Sequence, residues 1–290
     1  ILIGFTFLSS FFQISFNNKK SNSNEQEIRI LSYNVRVFDR WHWSDKKNTG
    51  VKTFDFIKQS NANIVCLQEF YSSKVNGQNA EDSISHESIL KNSYVSFTKK
   101  KDKISNSGIA TFTSYPILNH GEVRLQKDEN FCIYTDLLIE NDTVRVYNIH
   151  LESIHLGYDD YHLIENINNT DTINVKGIRN ILSKLKKGYK IRAQQADVIA
   201  SHIKSCPFPL ILCGDFNDTP VSYVYNRLIE NKLDAFCESG NGIGSTYINK
   251  YSTFRIDFIM HTTHFESFNF ETPRIELSDH YPVQCSMRIN

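Results

Sequence analysis

The sequence has no CxxC pair, no excess of either charge, no apolar run long enough to cross a membrane and no proline-rich linker. Its six cysteines are scattered, at positions 66, 132, 206, 213, 237 and 285. Without a closely spaced pair, neither a zinc site nor a redox motif is indicated. Cys66 and Cys213 lie inside apolar runs and are interpreted as small core residues. This usage favours a reducing compartment, although an even number of cysteines leaves disulfides open.

The charge balance argues against one way of binding nucleic acid. Lysine and arginine number 32, as do aspartate and glutamate, so the net charge is zero. A protein that coats nucleic acid needs surplus positive charge, although a local basic groove would not show in this sum. With 290 residues, 40% hydrophobic and 22% charged, the chain is not disordered, collagen-like or a small disulfide scaffold, and it can bury a sizeable core.

The longest apolar segment is at the beginning of the chain. Residues 1–16 are uncharged and rich in Ile, Leu and Phe, and residues 17–26 are polar. A spanning helix needs about 20 apolar residues, so we interpret this shorter run as the remnant of a membrane anchor, with a signal peptide as the alternative. We therefore expect membrane association through residues 1–26, and Lys19 and Lys20 favour a cytoplasmic location for residues 27–290.

Residues 27–290 contain no internal repeat or linker and are interpreted as one domain. Runs rich in β-branched and aromatic residues predict strands at 28–35, 62–70, 94–98, 108–113, 131–139, 143–151, 209–216, 255–260 and 282–287. Apolar periodicity predicts helices at 49–59, at 178–203 with an interruption at Gly188, and at 222–233. Long surface loops are expected near 72–88 and 157–177. The mixture of wholly apolar and alternating strands predicts an α/β fold with sheets packed on one another and helices outside.

Several predicted strands end in unusual polar residues. These are Asn34, Glu69, His150, and Asp215 with Asn217, and they are followed by Asp257 and the pair Asp279 and His280. Each has an ordinary structural interpretation as a turn former, a strand-end charge or a hydrogen-bonded histidine. If the strands are neighbours, however, these side chains form the cluster that a hard divalent cation needs. Asp257 stands between Ile256 and Phe258, and a carboxylate buried there requires a histidine or a cation nearby.

The motifs YNVRVFD, LQEF, NIHLES, GDFNDTP, RIDFIM and SDH occur in this order between residues 33 and 280. Together they resemble the endonuclease/exonuclease/phosphatase superfamily, which includes deoxyribonuclease I. The resemblance implies that 27–290 is a catalytic domain with a deoxyribonuclease I-like, four-layer α/β/β/α sandwich of two packed mixed sheets. It also implies metal-dependent hydrolysis of phosphoester bonds.

The resemblance gives each polar residue a role. Glu69 matches the metal-binding glutamate, with Asn34 beside it and Asp279 completing the ligand set, and hard oxygen ligands suit Mg²⁺, with Mn²⁺ as the alternative. Asp215 and Asn217 match the pair that holds and activates the attacking water, and the sequence leaves open whether Asp215 or His280 removes its proton. The remaining matches are His280, which contacts the scissile phosphate, Asp257, which orients His280, and His150, which donates to a phosphate oxygen.

Two features bear on the subgroup. Abasic-site enzymes carry an acidic residue where this chain has Arg36, and a tyrosine-centred motif where it has His150, so that subgroup is disfavoured. The HLES motif followed by a helix with Arg192 and Gln195 resembles the phosphodiesterases that remove tyrosyl adducts from DNA ends. Arg192 would then reach the substrate phosphate, whose oxygens suit bidentate contacts with a guanidinium. The ordinary alternative is that Arg192 lies on a solvated helix face.

Three functions remain open from the sequence. The favoured one is a hydrolase of phosphodiester bonds in nucleic acid, and the others are a lipid or inositol phosphate hydrolase at a membrane and a non-catalytic binding protein. A basic groove would favour nucleic acid, and its candidates are Lys99–Lys101, Lys103, Arg36 and Arg192. A deep aromatic pocket would favour a head group, and its candidates are Trp41, Trp43 and Tyr161. We expect a monomer.

Overall fold

The computed structural model describes residues 8–14, 27–44, 46–72, 79–100, 103–124, 131–154, 157, 160, 163, 175–248 and 254–290. The strands are β1 (Phe12–Gln13), β2 (Ile28–Asn34), β3 (Ile64–Tyr71), β4 (Asn92–Lys100), β5 (Lys103–Thr113), β6 (Ile117–Glu122), β7 (Cys132–Ile139), β8 (Asp142–His150), β9 (Leu210–Asp215), β10 (Leu233–Asp234), β11 (Gly242–Ile243), β12 (Asp257–His261), β13 (Phe265–Glu271) and β14 (Val283–Ile289). The helices are α1 (Thr49–Gln59), α2 (Ala80–Ser85), α3 (Val175–Lys204), α4 (Tyr223–Ile229) and α5 (Ala235–Ser239).

Two six-stranded mixed sheets pack face to face. The first has the order β13-β14-β2-β3-β5-β4 and the second β10-β12-β9-β8-β7-β6. Only β2 with β3 and β8 with β9 pair in parallel among these neighbours. Helices α1 and α2 pack on the outer face of the first sheet, and α3 and α4 on that of the second. The predicted sandwich of packed mixed sheets is confirmed.

The core between the sheets follows the period-two alternation of the strands. Ile30 and Ile64 of the first sheet meet Val146 and Ile211 of the second in one buried cluster. The side chains between them, such as Leu31, belong to the clusters beneath the helices. Because residues two apart share a face of a strand, the inner face of each strand is apolar over most of its length.

At one end of the sandwich the inner-face positions become polar. Asn34 shares a face with Ile30, His150 with Val146, and Asp215 with Ile211, because each pair is separated by an even number of residues. Asp257 begins β12, which runs antiparallel to β9, so it reaches the same end of the sandwich. The polar residues therefore converge between the sheets, at the edge of the core.

Three local predictions differ from the structure. Gly188 does not interrupt a helix, since α3 runs unbroken from Val175 to Lys204. A Cβ atom at Gly188 would lie 3.2 Å from Nη1 of Arg192 in the same helix, and 3.7 Å from Ile154, which is an ordinary contact. The helix predicted at 222–233 ends at Ile229, and α2 forms within the loop predicted near 72–88. Most of the loop predicted near 157–177 lies outside the described residues.

Part of the apolar N-terminal segment packs on the domain. Phe12–Gln13 pairs antiparallel with Gly242–Ile243, and Nε of Arg255 donates to the carbonyl of Ser10 at 2.9 Å. Residues 1–7 and 15–26 are outside the described ranges. None of the helices in the described ranges is long and apolar enough to cross a membrane. Membrane anchoring stays a prediction.

Candidate active site

Asp215 is the centre of the polar cluster. It is buried at the end of β9, and its Oδ2 accepts from Nδ2 of Asn34 at 3.1 Å and from Nδ2 of Asn217 at 3.2 Å. Its Oδ1 accepts from the backbone N–H of Asn217 at 2.8 Å. Asn217 also donates to the carbonyl of Leu151 at 2.9 Å, which ties it to the residue after β8. The two oxygens of Asp215 are therefore held in place by donors from the first sheet and from the loop after β9.

Strand register sets the neighbours of Asp215. His150 is its partner in the parallel pair β8–β9, and Asp257 is its partner in the antiparallel pair β12–β9. Gly214 permits the close pairing with β8, because it adopts a φ of +144° and a Cβ atom there would lie 1.9 Å from the carbonyl oxygen of Ile149. Three polar side chains consequently stand in a row across three strands.

Asp257 and His280 form a buried pair. Nδ1 of His280 donates to Oδ2 of Asp257 at 2.9 Å, which leaves Nε2 directed toward Oδ2 of Asp215 at 3.7 Å. Burial by itself lowers the pKa of His280, but the carboxylates of Asp257 and Asp215 outweigh it and raise the pKa to about 10. His280 is therefore held as an imidazolium by its neighbours. The partner expected for a carboxylate at position 257 is present.

Glu69 and His150 lie on the open side of the cluster. Oε1 of Glu69 is 3.4 Å from Nδ2 of Asn34 and 3.8 Å from Nε2 of His150, which is also 3.8 Å from Oδ2 of Asp215. The register of β3 shifts between Leu67 and Phe70, where Glu69 adopts a φ of 50°. Without this bulge, alternation would turn Glu69 toward the outer face, so the bulge redirects its carboxylate to the site.

A small pocket of about 160 Å³ opens beside Glu69 and His150. Its remaining lining residues are Val37, Thr98, Ser107, Gly108 and Ile109. A Cβ atom at Gly108 would lie 2.0 Å from the carbonyl oxygen of Ser96, so glycine is required for β4 and β5 to pair here. Residues of the first sheet therefore form the bottom of this pocket on the open side of the cluster.

Two predicted metal ligands, Asn34 and Asp279, are bonded to other protein groups in the structure. Asn34 directs its amide nitrogen to both carboxylates, and its Oδ1 accepts from the N–H of Arg36 at 3.0 Å. Oδ2 of Asp279 lies 3.4 Å from Nε of Arg36. In this arrangement Asn34 bridges Glu69 and Asp215, and Asp279 is paired with an arginine at the rim of the site. Their predicted roles as metal ligands remain untested.

The structure does not bring Arg192 to the cluster, nor does it leave the side chain on a solvated face. Its guanidinium is buried, with Nε 3.1 Å from Oδ2 of Asp218 and Nη1 donating to the carbonyl of Glu152 at 3.0 Å. Oε1 of Gln195 accepts from the N–H of the same Glu152 at 2.9 Å. In the structure the arginine joins α3 to the loops that follow β8 and β9, and its predicted contact with the substrate phosphate stays a prediction.

Removing this guanidinium should destabilise the fold. Burial raises the pKa of Asp218, and the charge of Arg192 opposes that rise. The Arg192→Met variant leaves a buried carboxylate without its cation, and we expect it to lose about 3–5 kcal/mol of unfolding free energy, measured by urea denaturation. The double variant Arg192→Met/Asp218→Asn should recover part of the loss, and Arg179→Ala, at an exposed position of the same helix, should change it little. Equal stability of Arg192→Met and the native chain would contradict the structural role.

Other contacts of the site carry no sequence signal. Oγ1 of Thr246 accepts from the backbone N–H of Ile256 and of Asp257, at 3.0 and 3.1 Å, and so fixes the start of β12. Trp41 and Trp43, the predicted rim of an aromatic pocket, stack on each other and are exposed at the surface. Tyr161 and the side chains of Lys99–Lys101 and Lys103 lie outside the described residues. Nothing in the sequence around Thr246 predicts that this threonine fixes the start of β12.

Comparison with known proteins gives one family and many similar folds. The model of the endonuclease/exonuclease/phosphatase family matches residues 31–280. No curated protein matches. Among solved structures, an endonuclease/exonuclease/phosphatase from Bacteroides vulgatus is 16% identical with a TM-score of 0.65, covering 92% of this chain and 100% of its own.

Two further structures have the same fold. An endonuclease/exonuclease/phosphatase from Beutenbergia cavernae is 13% identical with a TM-score of 0.64, covering 91% of this chain and 72% of its own. A humanized D. rerio TDP2 is 14% identical with a TM-score of 0.63, covering 90% of this chain and 99% of its own. At these identities the likeness concerns the fold, and it agrees with the two packed sheets described above.

Proposed function

We propose that this chain, which belongs to the endonuclease/exonuclease/phosphatase family, is a divalent-metal-dependent phosphodiesterase that acts on nucleic acid. Family membership makes it a phosphoester hydrolase in general terms; the metal and the substrate are the proposal. One observation carries it. The Nε2 atoms of His150 and His280 approach the same Oδ2 of Asp215, at 3.8 and 3.7 Å, beside the partly exposed carboxylate of Glu69.

The side chains fit a hard divalent cation. Among the described residues, Asp215, Asp257 and His280 have ligating atoms within 4.8 Å of one another. Since Asp257 and His280 are buried and bonded to each other, we place the cation on the open side of the cluster, at Glu69, where carboxylate oxygen suits Mg²⁺ or Mn²⁺. When bound, the cation would neutralise charge on the phosphoryl oxygens. Asn34 and Asp279 are the further candidates for holding it.

The protein groups divide the remaining work. Asp215, oriented by Asn217 and Asn34, accepts a hydrogen bond from the attacking water at the oxygen that both histidines approach. As an imidazolium, His280 donates its Nδ1 proton to Asp257 and presents Nε2–H to a phosphoryl oxygen. His150 presents Nε2 from the opposite side. The separations of 3.7 and 3.8 Å exceed a hydrogen bond, so these groups are not bonded to one another and are available to a reacting oxygen beside them.

A second candidate, hydrolysis of a lipid or inositol phosphate, is favoured by the apolar residues 1–16, because a membrane segment would hold the domain beside such a substrate. Membrane association through residues 1–26, with the domain in the cytoplasm and acting as a monomer, belongs to the same set of proposals.

Hydrolysis should require a divalent cation. We expect turnover of bis(p-nitrophenyl) phosphate and of single-stranded DNA in Mg²⁺ or Mn²⁺, with p-nitrophenyl phosphate turned over more slowly. EDTA should lower the rate by about a hundredfold, since charge neutralisation by the metal contributes several kcal/mol to the barrier. Excess Mg²⁺ should restore it. Hydrolysis that persists after chelation would overturn the metal assignment, and preferential turnover of inositol polyphosphates or phospholipids would support the second candidate.

A further inference from the structure

An exposed cluster of aromatic and cationic side chains stands next to the site. The indole rings of Trp41 and Trp43 stack with centroids 5.4 Å apart, although the two side chains are 55% and 53% exposed. The ring of Tyr71 meets Trp41 edge-on at 5.9 Å. The guanidinium of Arg36 covers the ring of Trp43 at 4.7 Å, and that of Arg40 covers Tyr71 at 4.6 Å. We call these five side chains the aromatic platform.

The platform is joined to the candidate active site at two points. Nε of Arg36 lies 3.4 Å from Oδ2 of Asp279, and its backbone N–H donates to Oδ1 of Asn34 at 3.0 Å. Tyr71 ends β3, two residues after Glu69. A substrate whose phosphate lies at Glu69 and Asp215 therefore extends over the platform with its neighbouring group.

The segment that carries the platform begins with a turn of unusual backbone conformation, and buried side chains hold this turn in place. Arg36, Val37, Phe38 and Asp39 all have positive φ values between 43° and 58° and form one left-handed turn. Such conformations cost about 1–3 kcal/mol each in residues other than glycine and persist where the surroundings enforce them. The ring of Phe38 packs against Phe54 at 4.9 Å and Phe70 at 5.7 Å.

Hydrogen bonds complete that support. Asp39 is buried, and its carboxylate accepts from Oγ of Ser44 at 2.5 Å and from the N–H of Ser44 at 3.2 Å. The inward-facing Phe38 and Asp39 thus fix a turn whose next residues, Trp41 and Trp43, face solvent. The protein exposes its large apolar rings from a rigid support rather than from a loose loop.

We propose that the aromatic platform stacks on an unpaired base of single-stranded nucleic acid, in the nucleotide next to the scissile phosphate, while Arg36 and Arg40 face its backbone phosphates. Bases stack on indole rings and on guanidinium planes, and arginines supply the charge that tracks a phosphate backbone. The two stacked indoles and the guanidinium of Arg36 present planar surfaces on which a base can stack. A lipid surface fits less well, because inserting the tryptophans would also desolvate Arg36 and Asp279. This inference rests on the proposed function for the position of the phosphate.

The sequence offers a direct probe, because Trp41 and Trp43 are its only two tryptophans. Intrinsic tryptophan fluorescence therefore reports on the platform alone. In EDTA, which prevents turnover, a thymidine decanucleotide should quench this fluorescence with saturation. A decanucleotide with the same backbone but abasic sugars should bind at least about tenfold more weakly, the loss expected for one stacked base. Vesicles of phosphatidylcholine and phosphatidylglycerol should cause no blue shift.

Variants separate stacking from charge. Binding of a labelled decanucleotide, followed by fluorescence anisotropy, should weaken about tenfold in Trp43→Ala and recover largely in Trp43→Phe, which keeps an aromatic face. Leu118→Ala, at an exposed apolar position of β6, is the matched control and should bind as the native chain does. In turnover assays Trp43→Ala should raise KM with little change in kcat.

The outcomes distinguish the two proposals. Equal binding of the base-bearing and abasic decanucleotides, or a blue shift with vesicles alone, would overturn the aromatic platform as a base site even if the enzyme cleaves phosphodiesters. Base-dependent quenching without hydrolysis of any phosphodiester in Mg²⁺ would instead leave the platform standing and overturn the proposed function.

Discussion

The Asp215→Asn variant should retain its fold and lose about 10³- to 10⁴-fold in kcat. The substitution keeps the shape of the side chain but removes the charge that Asn34 and Asn217 orient with their amide nitrogens. A neutral amide cannot accept a proton from the attacking water. It also places an NH₂ group against at least one of these donors. We expect the loss to appear in single-turnover rates on a phosphodiester, with a smaller change in KM.

The controls for this variant test fold and charge separately. Asp197→Asn removes a carboxylate that bonds Tyr223 and Arg227 at the surface, and it should leave kcat within about twofold, as expected for a surface change. Thermal unfolding should show that Asp215→Asn is folded at the assay temperature. A folded Asp215→Asn enzyme with kcat within about tenfold of the native value would remove Asp215 from the mechanism.

The second large effect is expected for Asp257→Asn, at about 10²- to 10³-fold in kcat. Asp257 contacts no reacting atom in the proposed mechanism and acts through His280, whose Nδ1 proton it accepts at 2.9 Å. An asparagine can donate to Nδ1 instead, which would leave His280 a neutral imidazole with its one proton on Nε2. It also removes the carboxylate that raises the pKa of His280. His280 would then offer the phosphate a neutral N–H instead of an imidazolium, which is a weaker donor.

A double-mutant cycle tests whether Asp257 and His280 work as a unit. The kcat of Asp257→Asn/His280→Ala should match that of His280→Ala alone, because the role of Asp257 requires the imidazole. Additive losses would show that Asp257 contributes independently of His280. Chemical shifts of the His280 ring nitrogens in the native chain and in Asp257→Asn would report the protonation change directly.

The parts of the fold that the sequence predicts depend on local pattern. Strands β2, β8 and β9 are buried over most of their length and appear in the sequence as apolar runs, whose polar ends identify Asn34, His150 and Asp215. Strands β6 and β13 escape prediction, since their burial patterns include several exposed positions and lack a long apolar run. An apolar run that ends in a polar residue can be recognised in a sequence. A half-exposed edge strand lacks such a run and is hard to predict.

The features that could not be predicted arise from contacts between distant residues. The bulge at Glu69 redirects a side chain by one backbone dihedral, which no residue type specifies. Arg192 has the spacing of an exposed helix face, but the loops that follow β8 and β9 cover it. Gly188 suggests a helix break because glycine disfavours helices, yet α3 continues through it and packs on the second sheet beyond it. In each case the deciding partner lies elsewhere in the chain.

The row formed by His150, Asp215 and Asp257 ties function to completion of folding. These residues face one another because β9 pairs in register with β8 and with β12. A slip of β9 by one residue would preserve its hydrogen-bond ladder and its circular dichroism, yet it would turn Asp215 to the opposite face and yield an inert molecule. The return of activity during refolding therefore measures when β8, β9 and β12 reach their native register. It should lag behind any spectroscopic measure of secondary structure.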